Sequence, residues 1–235
     1  MTKIFKKALA LFALFTVELL FIWVVFISCL VLFLLLARQI LQGGDLNFDQ
    51  AAFAFADGLH TPVFDSFMRN ITFFASRDFI TGASLMLIFY FLFIRRHKWY
   101  SIKVPVIALG SISLNLILKF LFDRERPLIP HLVQSYGLSF PSGHAMISAS
   151  FYGLLIYLVW VNVKNPVGRW ALVIALALFI LLIGFSRVYL HVHYASDVLA
   201  GFAAGLLWVI IAVYALRKIE RYSRRKIAPI VEEPA

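Results

Sequence analysis

"LLFIWVVFISCLVLFLLLA", residues 19–37, decides what kind of protein this is. Nineteen consecutive residues carry no charge, and Arg38 ends the run. A helix needs about 20 apolar residues to cross a hydrocarbon core of about 30 Å. In lipid it must also satisfy its own backbone polar groups, which favours a helix over an open sheet. Lys3, Lys6 and Lys7 precede an amphipathic lead-in from Ile4, as they would in a signal peptide. The run is too long for that, and no small-residue cleavage site precedes Arg38. An uncleaved first span is expected, with Glu18 at its cytoplasmic rim.

Working outward, five further apolar runs have spanning length: Phe79 to Ile94, Val104 to Phe122, Gly143 to Val163, Trp170 to Phe185 and Val198 to Leu216. The expected fold class is all-α, a polytopic membrane bundle of six transmembrane helices. Composition agrees: 62% of residues are hydrophobic and mean hydropathy is +0.89, whereas soluble domains are about half apolar. The 235 residues suit one integral-membrane domain, 1–235. Cys29 is the only cysteine, so no internal disulfide forms, and it reads as a small packing residue.

The net charge of +10 is distributed between the spans rather than clustered as a nucleic-acid patch. It points to membrane lipids and an anionic substrate, not to nucleic acid. Fifteen of the 22 Lys and Arg residues fall on one side. The positive-inside rule then places both termini in the cytoplasm of a multi-pass inner-membrane protein. The connection 39–78 becomes an extracytoplasmic amphipathic segment. Phe48, Ala52, Phe55 and Leu59, near helical spacing, form the face that covers the bundle. Residues 217–235 become a cytoplasmic tail that meets anionic headgroups. Composition leaves the oligomeric state open.

The basic residues assigned to the outer side gather in three clusters. "KFLFDRERP" supplies Lys119 and Arg126, "PSGH" supplies Ser142, Gly143 and His144, and "SRVYLHVHYASD" supplies Arg187, His193 and Asp197. Each lies at the end of a different span. Ser111, Asn115 and Lys119 repeat every four residues and share one helix face, which should look into the bundle. Three cations, two imidazoles and a carboxylate at one depth suit phosphate ester cleavage. Lys119, Arg126 and Arg187 can grip non-bridging oxygens, for which arginine's planar fork is well shaped. The Ser142–Gly143 turn opens a helix whose N–H groups and positive dipole end attract the same anion. Asp197, four residues after His193, can fix the tautomer of that imidazole and leave its other nitrogen free to attack phosphorus. His144 is then the general acid for the leaving oxygen and later the base for water.

Together the three clusters resemble the type-2 phosphatidic acid phosphatase superfamily, the lipid phosphate phosphatases. Its motifs K-x6-RP, PSGH and SR-x5-H-x3-D match Lys119 to Pro127, Pro141 to His144, and Ser186 to Asp197, in order and with every spacing kept. The resemblance covers most of the chain. It implies dephosphorylation through a phosphohistidine, without metal or cofactor. By position His193 is similar to the nucleophile, Asp197 to its partner and His144 to the acid; Lys119, Arg126, Ser142, Gly143 and Arg187 match phosphate binders. The substrate it implies is a lipid phosphate: phosphatidate, phosphatidylglycerophosphate or undecaprenyl pyrophosphate. Two positions depart from many relatives, which have Gly at His191 and Pro at Ala195. His191 reads as a loop residue, with a substrate or proton role as the lesser reading.

Other polar residues have blander readings. Asp123, Arg124 and Glu125 read as ordinary loop charges, and His60 and His131 as solvated loop residues. Gly201 and Gly205 give a small-xxx-small spacing for close packing inside the bundle. Three rivals stay in view. A transporter would run polar groups through the bundle, and these collect at one face. A metal site on His191, His193 and Asp197 is opposed by the neighbouring cations, and full activity after chelation would remove it. A lipid phosphotransferase shares the first half-reaction and differs only in the acceptor.

Overall fold

The computed structural model describes residues 3–43 and 47–224, with side chains from Val17 onward except that of Glu18. The expectation for Glu18 and the part of the tail from 225 on lie outside the described residues. Eight α-helices are present, and no strand occurs among the described residues. Six of them are long and apolar enough to cross a membrane.

Helix α1 (Lys3–Leu41) is continuous and absorbs the expected lead-in. No residue of its most apolar window is fully buried, so in a membrane much of this helix's surface faces lipid. It touches the bundle through Ala37, with Phe33, Leu36 and Ile40 packed around Phe140, Ala200 and Phe122. Helix α4 (Arg77–Phe89) starts at Ser76, whose Oγ accepts from the Phe79 N–H at 3.2 Å, and continues as a π-helical turn, Tyr90–Ile94.

Helix α5 (Lys98–Phe122) ends at Asp123, which adopts a left-handed conformation (φ 43°). That reversal turns Arg124, Glu125 and Arg126 back across the end of the bundle. Helix α6 (Gly143–Asn162) is the innermost span. It lies between α7 (Pro166–Tyr189) and α8 (Ala195–Tyr222), and packs most extensively on α8. Gly201 and Gly205 permit this. A Cβ on Gly201 would come 2.7 Å from the Ser142 carbonyl oxygen and 2.9 Å from the Ala145 Cβ. The small-xxx-small spacing therefore serves close packing within the bundle. Arg217 and its neighbours belong to α8, which runs as far as Tyr222, so the tail expected from 217 is helical in its first part.

The connection between the first two spans departs from expectation. It forms two helices, α2 (Asn47–Asp57) and α3 (Pro62–Phe73). Of the apolar stripe expected to face inward only Ala52 does so: Phe48, Phe55 and Leu59 are exposed. The inward face is instead Asp49, Ala52, Phe53 and Ala56. The start of α8 needs an acceptor, and Asp49 supplies it, which rotates the helix accordingly.

Candidate active site

Residues from six helices and two loops meet at one end of the bundle. At the centre is His193, in the loop between α7 and α8, almost fully buried. The Arg187 carbonyl at the end of α7 accepts from the N–H groups of Val192 and His193, at 3.2 and 3.3 Å, which fixes the loop. Arg126 approaches from the other side. Its Nη1 lies 3.3 Å from His193 Nε2 and donates to the Val192 carbonyl at 2.6 Å; its Nε and Nη2 donate to the Gly137 and Tyr136 carbonyls.

Two contacts settle the tautomer of His193. A guanidinium N–H can only donate, so Nε2 accepts from Arg126. On the far side of the ring, Ser139 Oγ sits 3.3 Å from Nδ1 and 2.5 Å from Asp197 Oδ2. Asp197 Oδ1 accepts from Arg124 at 2.6 Å, so the carboxylate is paired, and its other oxygen accepts a hydrogen bond from the Ser139 hydroxyl. Ser139 oxygen is then left to accept from Nδ1–H. The expected direct bond from Asp197 to the ring is not made: Nδ1 and Oδ2 are 3.5 Å apart, too far for a good hydrogen bond. The serine hydroxyl bridges them, and the lone pair of Nε2 faces the cations.

The electrostatics keep that lone pair unprotonated. Burial, followed by the charges of Arg187, Arg126 and Lys119, pushes the His193 imidazole well below its usual range. It is neutral near pH 7.

Asp197 is held from every side. It is the third residue of α8 and reaches back to the Tyr194 N–H at 2.9 Å, capping its own helix. Arg124, read from sequence as a loop charge, is instead the hub of this region. Its Nη1 donates to Asp197 and to Ser196 Oγ, its Nη2 lies 3.1 Å from Asp49, and its guanidinium stacks 3.9 Å over the Tyr194 ring. Asp49 in turn accepts from the Ser196 N–H at 2.8 Å and its hydroxyl at 2.7 Å. A carboxylate at the first turn of α8 also complements the helix dipole.

The remaining expected residues gather around the same cluster. Lys119 reaches back from α5 and donates to the Leu138 carbonyl. Below it Ser111 and Asn115 are buried as predicted. Asn115 donates to the Pro141 carbonyl at 3.2 Å, and its Oδ1 would be 3.1 Å from a Cβ on Gly143. The Ser142 N–H is committed to the Asp197 carbonyl at 3.0 Å, so the open N–H groups of the α6 start belong to Gly143 and the residues after it. His144, in that first turn, lies within the field of Arg187, His193, Arg126 and Lys119. Arg187 donates Nη1 to Thr72 Oγ1 of α3 at 2.6 Å.

Two donors there have no partner among the described residues: Arg187 Nε and Ser142 Oγ, both buried. A buried donor left unmade costs about 1–3 kcal/mol. The cluster is built with donors in excess, as a site for a multivalent oxygen anion should be.

Sequence reasoning found eight residues of this cluster and missed Arg124, Ser139, Asp49 and Thr72. The first two stand two residues before Arg126 and Pro141, a spacing that could have marked them. The last two come from the connection between spans, where nothing local signals a role. The rival metal set is not assembled: His191 turns away from His193 and Asp197 toward Asp57 and the Pro130 carbonyl.

The profile of the PAP2 superfamily matches residues 100–221. Phosphatidylglycerophosphatase B of Bacillus subtilis is 30% identical over 200 residues, covering 85% of this chain and 98% of that protein. Undecaprenyl-diphosphatase BcrC of the same organism is 29% identical over 157 residues, covering 63% of this chain and 72% of the relative. The crystal structure of a transmembrane PAP2-type phosphatidylglycerolphosphate phosphatase from B. subtilis superposes with a TM-score of 0.73 at 28% identity, covering 84% of this chain and 98% of that one. With six spans and three matched motifs, the chain belongs to the PAP2 superfamily of membrane lipid phosphatases.

Proposed function

We propose that this phosphatase cleaves a lipid-borne phosphate by in-line attack of His193 Nε2 on phosphorus. The observation that carries this reading is the orientation of His193: Nδ1–H is engaged by Ser139 and Nε2 is turned toward Arg126. Lys119, Arg126, Arg187 and the first turn of α6 receive the non-bridging oxygens. As the N–P bond forms, the bond from phosphorus to the lipid oxygen breaks, and His144 gives its proton to that oxygen. The imidazolium so formed on His193 is stabilised through Ser139 by Asp197. Water then attacks phosphorus, His144 takes its proton, and the N–P bond breaks to release inorganic phosphate and neutral His193. Every step uses side chains of this chain, and none requires a metal.

The substrate favoured is phosphatidylglycerophosphate, because the relative of that specificity aligns over nearly its whole length. A polyprenyl diphosphate is the second reading, supported by the undecaprenyl-diphosphatase match. The cavity opens on the extracytoplasmic side of the inner membrane, as the Lys and Arg distribution supports. Phosphate release from purified protein on a panel of phosphatidylglycerophosphate, phosphatidate and polyprenyl diphosphate tests the assignment. Turnover lost in His193→Ala supports it. Near wild-type release by that variant rejects the nucleophile, and transfer to a second lipid without free phosphate would favour a phosphotransferase.

A further inference from the structure

Outside the catalytic cavity, His60, Asp57 and His191 form a second cluster. His60 lies in the turn between α2 and α3, Asp57 ends α2, and His191 sits two residues before His193. Their candidate ligand atoms all lie within 4.8 Å of one another.

The hydrogen bonds there pose a problem. His191 Nδ1 is 3.2 Å from the Pro130 carbonyl, which can only accept, so Nδ1 carries the proton. Nε2 of a neutral ring is then an acceptor, yet it lies 2.8 Å from Asp57 Oδ1, also an acceptor. His60 repeats the pattern. Its Nδ1 is 2.9 Å from Asp65 Oδ1, an oxygen that also accepts from the Tyr189 hydroxyl, so Nδ1 carries the proton. His60 Nε2 is buried without a hydrogen-bond partner and faces the same Asp57 oxygen at 3.6 Å. Two imidazole lone pairs and a carboxylate oxygen thus converge with no proton assigned between them.

A cation between them resolves the conflict. In a tetrahedral site with bonds of about 2.0–2.1 Å, ligand atoms stand about 3.3 Å apart; the two nitrogens lie 2.8 and 3.6 Å from Asp57 Oδ1, on either side of that value. The outer nitrogens are arranged as metal-binding histidines require, one on a carboxylate and one on a backbone carbonyl, which fixes ring orientation and raises basicity. Two imidazoles and a carboxylate favour the zinc end of the divalent series over calcium or magnesium. Asp57 is largely exposed, which gives the ion a path in.

We propose that Asp57 Oδ1, His60 Nε2 and His191 Nε2 bind a divalent transition cation of the zinc class, with water as fourth ligand. Its role is structural. It ties the α2–α3 turn to the loop bearing the nucleophile, and holds His191 in its left-handed conformation (φ 60°).

The test uses tag-free, chelator-stripped protein in detergent, titrated with Zn²⁺ by calorimetry and with Co²⁺ by visible absorption. About one Zn²⁺ per chain should bind, with a rise in thermal midpoint. His191→Gly suits the left-handed backbone and His60→Gln keeps the side chain polar. Each should weaken Zn²⁺ binding at least tenfold, with phosphate release in chelator reporting that the fold is intact. No saturable site in the wild type, or wild-type affinity in either variant, overturns the proposal. So does Zn²⁺ binding that is lost in His193→Ala, which would put the ion in the catalytic cavity.

Discussion

Arg124 Nη1 lies 2.6 Å from Asp197 Oδ1, and the carboxylate it meets is fully buried. The pair joins the loop after α5 to the first turn of α8, with Asp49 of α2 on the second guanidinium nitrogen. Three chain segments therefore depend on one cation for the position of the group that orients His193.

Arg124→Ala should damage both stability and turnover. Breaking a buried pair by removing one partner costs about 3–5 kcal/mol, because the other charge is left unpaired. Thermal unfolding in detergent should show a large loss, with kcat falling more than substrate KM rises. Arg124→Lys restores the charge but not the fork, and should recover only part of both. A variant with unchanged kcat would remove Arg124 from the catalytic support.

Ser139→Ala isolates the bridge. A hydrogen bond to a charged group is worth about 1.5–3 kcal/mol, a factor of roughly 10 to 150 in rate if it is felt fully in the transition state. Steady-state kinetics should show the loss in kcat, since the imidazolium exists only after attack begins. Loss confined to KM would point to a packing role instead.

The pH profile follows from burial of the nucleophile among cations. His193 must be neutral to attack, and its surroundings oppose protonation. The acid limb of kcat/KM should therefore lie well below the ordinary histidine value of about 6.5, and activity should fall only as pH drops through that lower value. The same shift carries a stability sign. Below about pH 6.5 the unfolded chain takes up a proton that the folded site resists, so stability declines as pH falls from there. An acid limb at or above 6.5 contradicts the neutral-nucleophile reading.

His144→Ala should slow ester cleavage by about 100- to 10,000-fold, the usual range for a positioned acid. The loss should be much smaller for an aryl phosphate whose leaving group departs without a proton. Equal losses on both substrates reject the acid role.

Gly201→Leu probes the crossing of α6 and α8. Even a Cβ at this position would stand 2.7 Å from the Ser142 carbonyl, with backbone that cannot swing aside. Overpacking typically costs about 1–3 kcal/mol, and here it also displaces the helix start that carries Ser142, Gly143 and His144. Thermal midpoint and phosphate release should fall together. Activity retained at a lowered midpoint would show that the crossing is structural only.

The six spans were legible in sequence because a bilayer imposes a simple rule: a long uncharged run must be helical and must cross. The three motifs were legible because their spacing survives along one chain. Asp49 was not legible, because its value depends on α2 lying across the start of α8. The face of that segment is rotated from the expected one, with Ala52 common to both, for the same reason: one carboxylate bonding Ser196 and Arg124 outweighs two phenylalanines that lipid accepts readily. Arg124 looked like a loop charge because no local pattern separates a solvated arginine from one folded back by a left-handed residue at position 123.

By itself the sequence determined the membrane-spanning helices and marked eight of the residues that meet at the candidate site, since apolar length and motif spacing are properties of one strand of chain. The tertiary structure alone decided which atoms face each other: that a serine bridges His193 to Asp197, that Arg124 anchors the carboxylate, and that His191 joins His60 and Asp57 rather than the catalytic pair. Those choices are set by hydrogen-bond directions and charge pairing between segments far apart in sequence, and they exist only once the helices are packed.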